Sequence, residues 1–308
     1  MEMRKIGSSN LESSILGLGC MSLGRDEKKA QSIIEAALEG GVTYFDTADL
    51  YDFGINEKIV GKSLKHVRDQ VVIATKVGNR WEDGQDGWYW DPSKPYIKEQ
   101  VKTSLKRLEV DYIDLYQLHG GTLDDPIDET IEAFEELKSE GYIKEYGISS
   151  IRPNVIKKYA EQSSIVSNMM QYSLLDRRPE EQAFPILKDH NISVITRGPL
   201  AKGMLTEKLL AKASDSIQND GYLHYSFESL KETLESIQDR FEDSRSMTEL
   251  SLKFNAANTL TASIITGASD PEQITANIHA VSSDPLSEEE YSLLKELTDS
   301  KGYSEHRL

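Results

Sequence analysis

Thiols and long apolar runs are what this sequence has least of. Its 308 residues hold one cysteine, Cys20, so no intramolecular disulfide can form. That suits a reducing compartment and excludes a small scaffold stapled by bridges. No stretch reaches the ~18 consecutive apolar residues that mark a membrane helix, and the opening "MEMRKIGSSNLESS" lacks the apolar centre of a secretory signal. These absences point to a cytoplasmic protein without membrane contact. Basic residues are also short. Lys and Arg number 35 against 52 Asp and Glu, a net charge of −17. A field of that sign repels a phosphate backbone, which excludes nucleic acid as a partner. A small phosphate-bearing ligand in a local pocket stays open. The six histidines are scattered with no H-x-x-x-H spacing, so no metal is expected.

What is present is alternation. Short apolar runs at 15–18, 43–46, 71–76, 112–119, 145–149, 165–171, 193–197 and 262–266 read as eight strands. Most are nearly continuous, as strands buried on both faces must be. Between them lie amphipathic helices. Residues 27–39 place Ala30, Ile33, Ile34, Ala37 and Leu38 on one stripe, and "GG" at 40–41 closes the helix. The pattern repeats at 96–108, 127–140 and 247–258, and Pro153 stands near the start of another helix. Eight β-then-α units in one chain of this length predict an α/β fold, a (β/α)8 TIM barrel filling residues 1–308 as one domain. The rival is an open doubly wound sheet. Its fingerprint is missing, because "GLGCMSLG" carries glycines at 17, 19 and 24, the wrong spacing for G-x-G-x-x-G. The first residues, "MRKIGSS" and "LESSIL", read as an N-terminal β-hairpin. Two loops are long, 77–94 after strand three and 198–226 after strand seven.

In a barrel the C-terminal strand ends open onto one shared site. Strand two ends at Asp46 with Tyr51 in its loop, strand three at Lys76 and strand four at His119. Taken singly, each has a bland reading: a helix cap, a lysine reaching to solvent, a hydrogen-bonded structural histidine. At the ends of three successive strands they form a consistent set. A phenol with its ordinary pKa near ~10 keeps its proton at neutral pH, and an adjacent ammonium favours its release. A buried lysine stays charged only beside a carboxylate. Asp46 therefore holds Lys76 charged, Lys76 tunes Tyr51 as a proton donor, and His119 orients a substrate oxygen.

These residues sit in segments that carry a resemblance. "GVTYFDTADLYDFGINEKIVGKSL" (41–64) resembles the signature of the aldo-keto reductases. "VVIATKVG" (71–78), "LEVDYIDLYQLH" (108–119), "GYIKEYGIS" (141–149), "GPLAKGMLT" (198–206) and "ITGASDPEQITAN" (265–277) are similar to that family's other segments in kind and order. The resemblance covers about residues 4–280. It implies a barrel that binds NADP(H) in extended form and reduces a small-molecule carbonyl, with Asp46, Tyr51, Lys76 and His119 as the catalytic tetrad. It implies nicotinamide contacts at Gly19, Cys20, Ser149 and Gln171, a pyrophosphate strip at Gly198, Pro199, Leu200 and Gly203, and an adenosine end at Gly267, Ser269, Gln273 and Asn277. Three positions depart from the family's pattern. Ser150 stands where many relatives have Asn. Arg197 stands where many have an aromatic, and its planar guanidinium can stack or reach the cofactor phosphates. Ala268-Ser269 follows Gly267 where many carry a basic residue, which makes Lys208 the candidate clamp for an adenosine phosphate. Asp270, Pro271 and Gln273 read as cap, first position and third position of a helix whose free N–H groups favour a phosphate. Cys20 reads as a small packing residue with a cofactor contact.

An NADPH-dependent carbonyl reductase leads. The alternative is a nucleotide-binding, redox-sensing subunit similar to the potassium-channel β subunits; the chain begins almost at the barrel hairpin, without an interaction segment. A third reading, Lys76 as a Schiff-base amine, is opposed by Asp46. Trp81, Trp88, Tyr89 and Trp90 either line an apolar pocket or pack their loop. The substrate and the oligomeric state are written in no motif.

Overall fold

The computed structural model describes residues 1–82 and 87–308. A hairpin of β1 (Met3–Lys5) and β2 (Glu12–Ser14) comes first. The chain continues with β3 (Leu16–Gly19), β4 (Tyr44–Asp46) and β5 (Val72–Val77), then an antiparallel ribbon of β6 (Asn79–Arg80) and β7 (Tyr89–Trp90). After it come β8 (Ile113–Leu118), β9 (Ile143–Ser149), β10 (Ser167–Gln171), β11 (Ser193–Arg197) and β12 (Thr261–Gly267). The eight runs read as strands close a parallel barrel in the order β10–β11–β12–β3–β4–β5–β8–β9. Residues 83–86 of the long loop at 77–94 lie outside the described residues.

Two apolar cores explain why the runs are continuous. One face of each strand packs against the helices, and the other fills the lumen. The lumen holds Tyr44, Val72, Ala74, Leu115, Met169, Ile195 and Ile265, with Ile6 from the hairpin packed against them. Side chains alternate along a strand, so residues two apart share a face. Asp46, Lys76, Gln117, Gln171 and Arg197 are each two residues beyond one of these lumen residues. They therefore form a polar layer on top of an apolar plug, at the C-terminal rim.

The helices are α1 (Glu27–Glu39), α2 (Ile55–Leu64), α3 (Lys94–Leu108), α4 (Ile127–Ser139), α5 (Pro153–Gln162) and α6 (Ala183–Asp189). They continue with α7 (Asp215–Asp220), α8 (Phe227–Phe241), α9 (Met247–Ala257), α10 (Pro271–Ser282) and α11 (Glu288–Leu297). Helix α1 starts where the Asp26 carboxylate accepts from the N–H groups of Lys28 and Lys29, and it ends as the chain turns through Gly41 at φ +82°. Its buried Ala30, Ile33, Ile34 and Ala37 are four of the five residues of the predicted stripe, and Leu38 is half-buried.

The β11–β12 connection differs from the simple β-then-α reading. It holds α7, α8 and α9, and α8 packs on α11 after the barrel closes. The signals were local: Ser226 caps α8 by accepting from Ser229 N, with Leu230, Leu234, Ile237 and Phe241 buried on one stripe. A capping box of Ser287 and Glu290 starts α11. Among the described residues no helix is long and apolar enough to cross a membrane.

Candidate active site

Strand β4 delivers Asp46 to the rim behind the fully buried Phe45. Lys76 arrives from β5, one strand over, and is 1% exposed. Its ammonium donates to Asp46 Oδ2 at 2.6 Å, to the Thr47 carbonyl at 2.7 Å and to the Tyr51 hydroxyl at 3.3 Å. The Tyr51 ring meets His119 edge to face, with centroids 5.9 Å apart. The structure thus brings Asp46, Tyr51, Lys76 and His119 together.

The turn that carries Tyr51 is tight. Asp52, Phe53 and Gly54 follow at φ +50°, +54° and +81°, a left-handed run that costs free energy at the two non-glycine positions. Neighbours hold it in place. Thr47 Oγ1 donates to Asn56 Oδ1 at 2.7 Å, and Asn56 Nδ2 donates to the Cys20 carbonyl at 2.8 Å. The buried Glu57 accepts from Thr75 Oγ1 at 2.8 Å and from Arg107 at 3.2 Å. Glycine suits 54, where φ is +81° and an added Cβ would stand 2.5 Å from the Arg107 guanidinium and force it to move.

Asp49, which sequence reasoning passed over, is fully buried near the buried Glu57. Its backbone N–H donates to the Lys76 carbonyl at 3.3 Å, and its Oδ2 accepts from Tyr96 at 3.3 Å. Burial, with the nearby Glu57 adding to it, pushes its carboxyl well above the ordinary range. The tryptophans answer part of the loop question. Trp81 Nε1 donates to the Asp49 carbonyl at 3.1 Å, and its ring packs on Phe53 at 5.3 Å and beneath Arg107 at 5.1 Å. Trp90 donates to Asp125 at 2.9 Å, while Trp88 and Tyr89 are exposed. Two of the three indoles are therefore bonded into the rim.

Burial dominates the electrostatics. It works to lower the Lys76 ammonium, but Asp46 and Tyr51 outweigh it and Lys76 ends above its ordinary value. The ion pair is the form these contacts favour. Burial raises the Asp46 carboxyl, and the Lys76 charge opposes that rise. Tyr51 corrects an expectation. Lys76 does pull its phenol down, yet burial is the larger influence and Asp46 adds to it, so Tyr51 ends above its ordinary value. His119 is pushed down to about 3 by burial, then by the charges of Lys76 and Arg197. Its imidazole is neutral at physiological pH and carries one N–H.

From Asp46 and Tyr51 a cavity of about 1510 Å³ runs across the rim to the start of α10. Gly19, Gln171, Arg197, Gly198, Pro199, Leu200, Gly203, Lys208, Gly267, Ser269, Gln273 and Asn277 all line it. Cys20 and Ser149 do not. The Cys20 thiol is fully buried, turned to the Leu18 carbonyl at 3.7 Å, and burial raises its pKa far out of reach. Lys202, at φ +58° on the same wall, was not singled out from the sequence. Neither it nor Lys208 has a carboxylate within ion-pair distance among the described residues. Acids line this end too, but most are engaged. Glu207 accepts from Thr248, Glu249 from Ser246 N, and Asp270 caps α10 by accepting from Gln273 N at 2.8 Å. Glycine matters at 267, where an added Cβ would lie 2.7 Å from Ser22 Oγ. A long, glycine-floored cleft with two unpaired lysines and a helix start suits an extended phosphate-bearing molecule.

A family model described as the Aldo/keto reductase family matches residues 15–299. The chain is 58% identical over 307 residues to an uncharacterized oxidoreductase, YqkF, of Bacillus subtilis, covering 100% of both. It is 30% identical over 325 residues to the NADH-specific methylglyoxal reductase of Escherichia coli, covering 96% of this chain and 99% of that one. Among solved structures, the holo form of aldo-keto reductase AKR11C1 from Bacillus halodurans superposes with a TM-score of 0.94 at 53% identity, covering 100% of both chains.

Proposed function

The chain belongs to the aldo/keto reductase family, and from that premise we propose that it reduces aldehydes or ketones to alcohols with NADPH, Tyr51 supplying the proton. The observation that carries the reading is the Lys76 ammonium held between Asp46 at 2.6 Å and the Tyr51 hydroxyl at 3.3 Å, where the cofactor-sized cavity begins. Bound in that cavity, a reduced nicotinamide supplies hydride to the carbonyl carbon. Gly19 and Gln171 would hold its ring end, Gly198 to Gly203 its pyrophosphate, and Ser269, Gln273 and Asn277 its adenosine end.

Tyr51, protonated in the free protein because burial favours the neutral phenol, donates to the carbonyl oxygen as charge builds there. Lys76 stabilises the phenolate left behind, and Asp46 keeps Lys76 charged while it does so. The neutral His119 donates its N–H to the same oxygen and fixes the carbonyl's orientation. The preference for NADPH rests on Lys202 and Lys208, two cations without a carboxylate partner among the described residues, beside Glu207, Glu249 and Asp270, which are engaged at helix starts. A second reading, NADH as the donor, is favoured by the printed name of the Escherichia coli relative.

A panel of carbonyls that includes methylglyoxal, followed by nucleotide absorbance, tests both. Reduction of at least one aldehyde is expected, with kcat/KM for NADPH above that for NADH. The Lys202→Ala/Lys208→Ala variant should narrow that ratio. No turnover of any carbonyl with either nucleotide would overturn the reductase reading. Better use of NADH by the unaltered protein would overturn the NADPH preference alone.

A further inference from the structure

Arg197 ends β11 with its guanidinium in the same cavity that Asp46 and Tyr51 open onto. Its Nη1 donates to Gln171 Oε1 at 3.3 Å, and Gln171 Nε2 in turn donates to the Tyr222 hydroxyl at 3.1 Å. Those contacts are to neutral groups. Elsewhere in this acidic chain Arg177, Arg178 and Arg245 each face a carboxylate at 3.0 Å or closer. Among the described residues Arg197 has no such partner, so its charge is not cancelled locally.

That charge reaches the reacting groups. Burial is the first influence on both the Tyr51 phenol and the His119 imidazole, and the Arg197 guanidinium works to lower both. Lys76 is closer to Tyr51, but Asp46 neutralises it at 2.6 Å. Arg197 is thus a cation without a carboxylate partner among the described residues, close to the point where chemistry would occur.

We propose that Arg197 makes this site discriminate between the two redox states of its nicotinamide, favouring the uncharged reduced ring over the cationic oxidised one. The inference rests on the nicotinamide-dependent reading above. A reduced nicotinamide ring is neutral, and loss of hydride leaves it with one positive charge. The ring must lie where hydride can reach a carbonyl held by Tyr51 and His119, which is within the field of Arg197. Like charges repel, so the guanidinium weakens the hold on the oxidised ring and leaves the reduced ring nearly unaffected. Phosphates, ribose and adenine are common to both forms and cancel in the comparison. The arrangement helps a reductase release its oxidised product.

The test is the ratio of dissociation constants for NADP+ and NADPH, measured by calorimetry in wild type, Arg197→Met and Arg197→Lys. The same ratio for NAD+ and NADH serves if that pair binds better. The Arg197→Met ratio should fall by about 3–10-fold, the size expected of an exposed charge at high effective dielectric. Arg197→Lys should keep it, and the wild-type ratio should shrink as salt rises. Should Arg197→Met fail to fold, the Lys variant and the salt series still decide the matter. An arginine that merely clamps phosphate would shift both constants by one common factor on removal. An unchanged ratio in Arg197→Met, or a wild-type ratio indifferent to salt, would overturn the inference while leaving the reductase reading intact. Failure of every nicotinamide nucleotide to bind wild type would overturn that reading, and this inference with it.

Discussion

The two walls of the cavity handle charge in opposite ways. On the wall built from β4, β5 and β8, charge is buried and answered: Lys76 is 1% exposed and touches Asp46, Thr47 and Tyr51. On the wall built from β11, β12 and the segment between them, Arg197, Lys202 and Lys208 are exposed and have no carboxylate partner among the described residues. The difference follows from solvation. A buried charge without a partner costs several kcal/mol, so the first wall tolerates charges only as a closed set. An exposed cation costs little in the free protein and remains available to an anionic ligand. The first wall is therefore suited to fixed proton chemistry, and the second to holding and discriminating a cofactor.

Removing the phenol should give the largest break in this contrast. Tyr51→Phe is expected to cut turnover on a good aldehyde by ~10²–10⁴-fold while nucleotide affinity stays nearly unchanged, because the hydroxyl is on one wall and most of the residues proposed to hold the nucleotide are on the other. Near wild-type turnover would remove Tyr51 from its assigned role. Next in size is the closed set itself. Lys76→Met leaves Asp46 buried without its cation and should cost about 3–5 kcal/mol of stability, read from the denaturant midpoint. Adding Asp46→Asn should restore much of that loss, since the orphaned charge is then gone. A single variant as stable as wild type would mean the pair is not a unit.

The smallest effect concerns His119 and acid. Its folded pKa of about 3 lies below the ordinary 6.5, so below pH 6.5 the unfolded chain takes up a proton that the folded protein refuses. The stability tied to neutral His119 is thus fully present above pH 6.5 and drains as pH falls toward 3, by ~1.4 kcal/mol per pH unit within the window. His119→Gln should lose less thermal stability than wild type between pH 7 and about 5. Equal losses in the two proteins would argue that the imidazole is not held neutral.

Much of the first wall was legible in the sequence, and for a physical reason. A strand run announces itself by its own apolar residues, and in a barrel the residue that ends each run faces the common rim. Asp46, Lys76 and His119 could be placed from that rule alone. The Asp49, Glu57 and Arg107 cluster could not. Its members come from a turn, α2 and α3, and nothing in their spacing says that Arg107 closes under Gly54. Cys20 is similar. It follows Gly19 at a strand end, but the chain turns at once and its thiol points inward, away from the cavity that Gly19 lines. Helices α8 and α11 did carry legible caps and stripes, which a strict alternation of one strand with one helix passed over.

The sequence by itself determined the eight strands, the closing glycine of α1, the cap of α10 and the order in which acid, phenol, amine and imidazole reach the rim. These depend on residues adjacent in the chain, whose periods and caps act locally. Only the tertiary structure decided how the groups are charged. The Tyr51 phenol ends above its ordinary value although an ammonium stands beside it, because desolvation sums over every element that covers the ring. The same sum drives His119 neutral, and its absence at the far wall leaves Lys202 and Lys208 in water and free to meet a phosphate. The strand runs and the barrel they close say which strand-end groups will meet. Burial, contributed by residues far away in sequence, sets the protonation state each one has when they do.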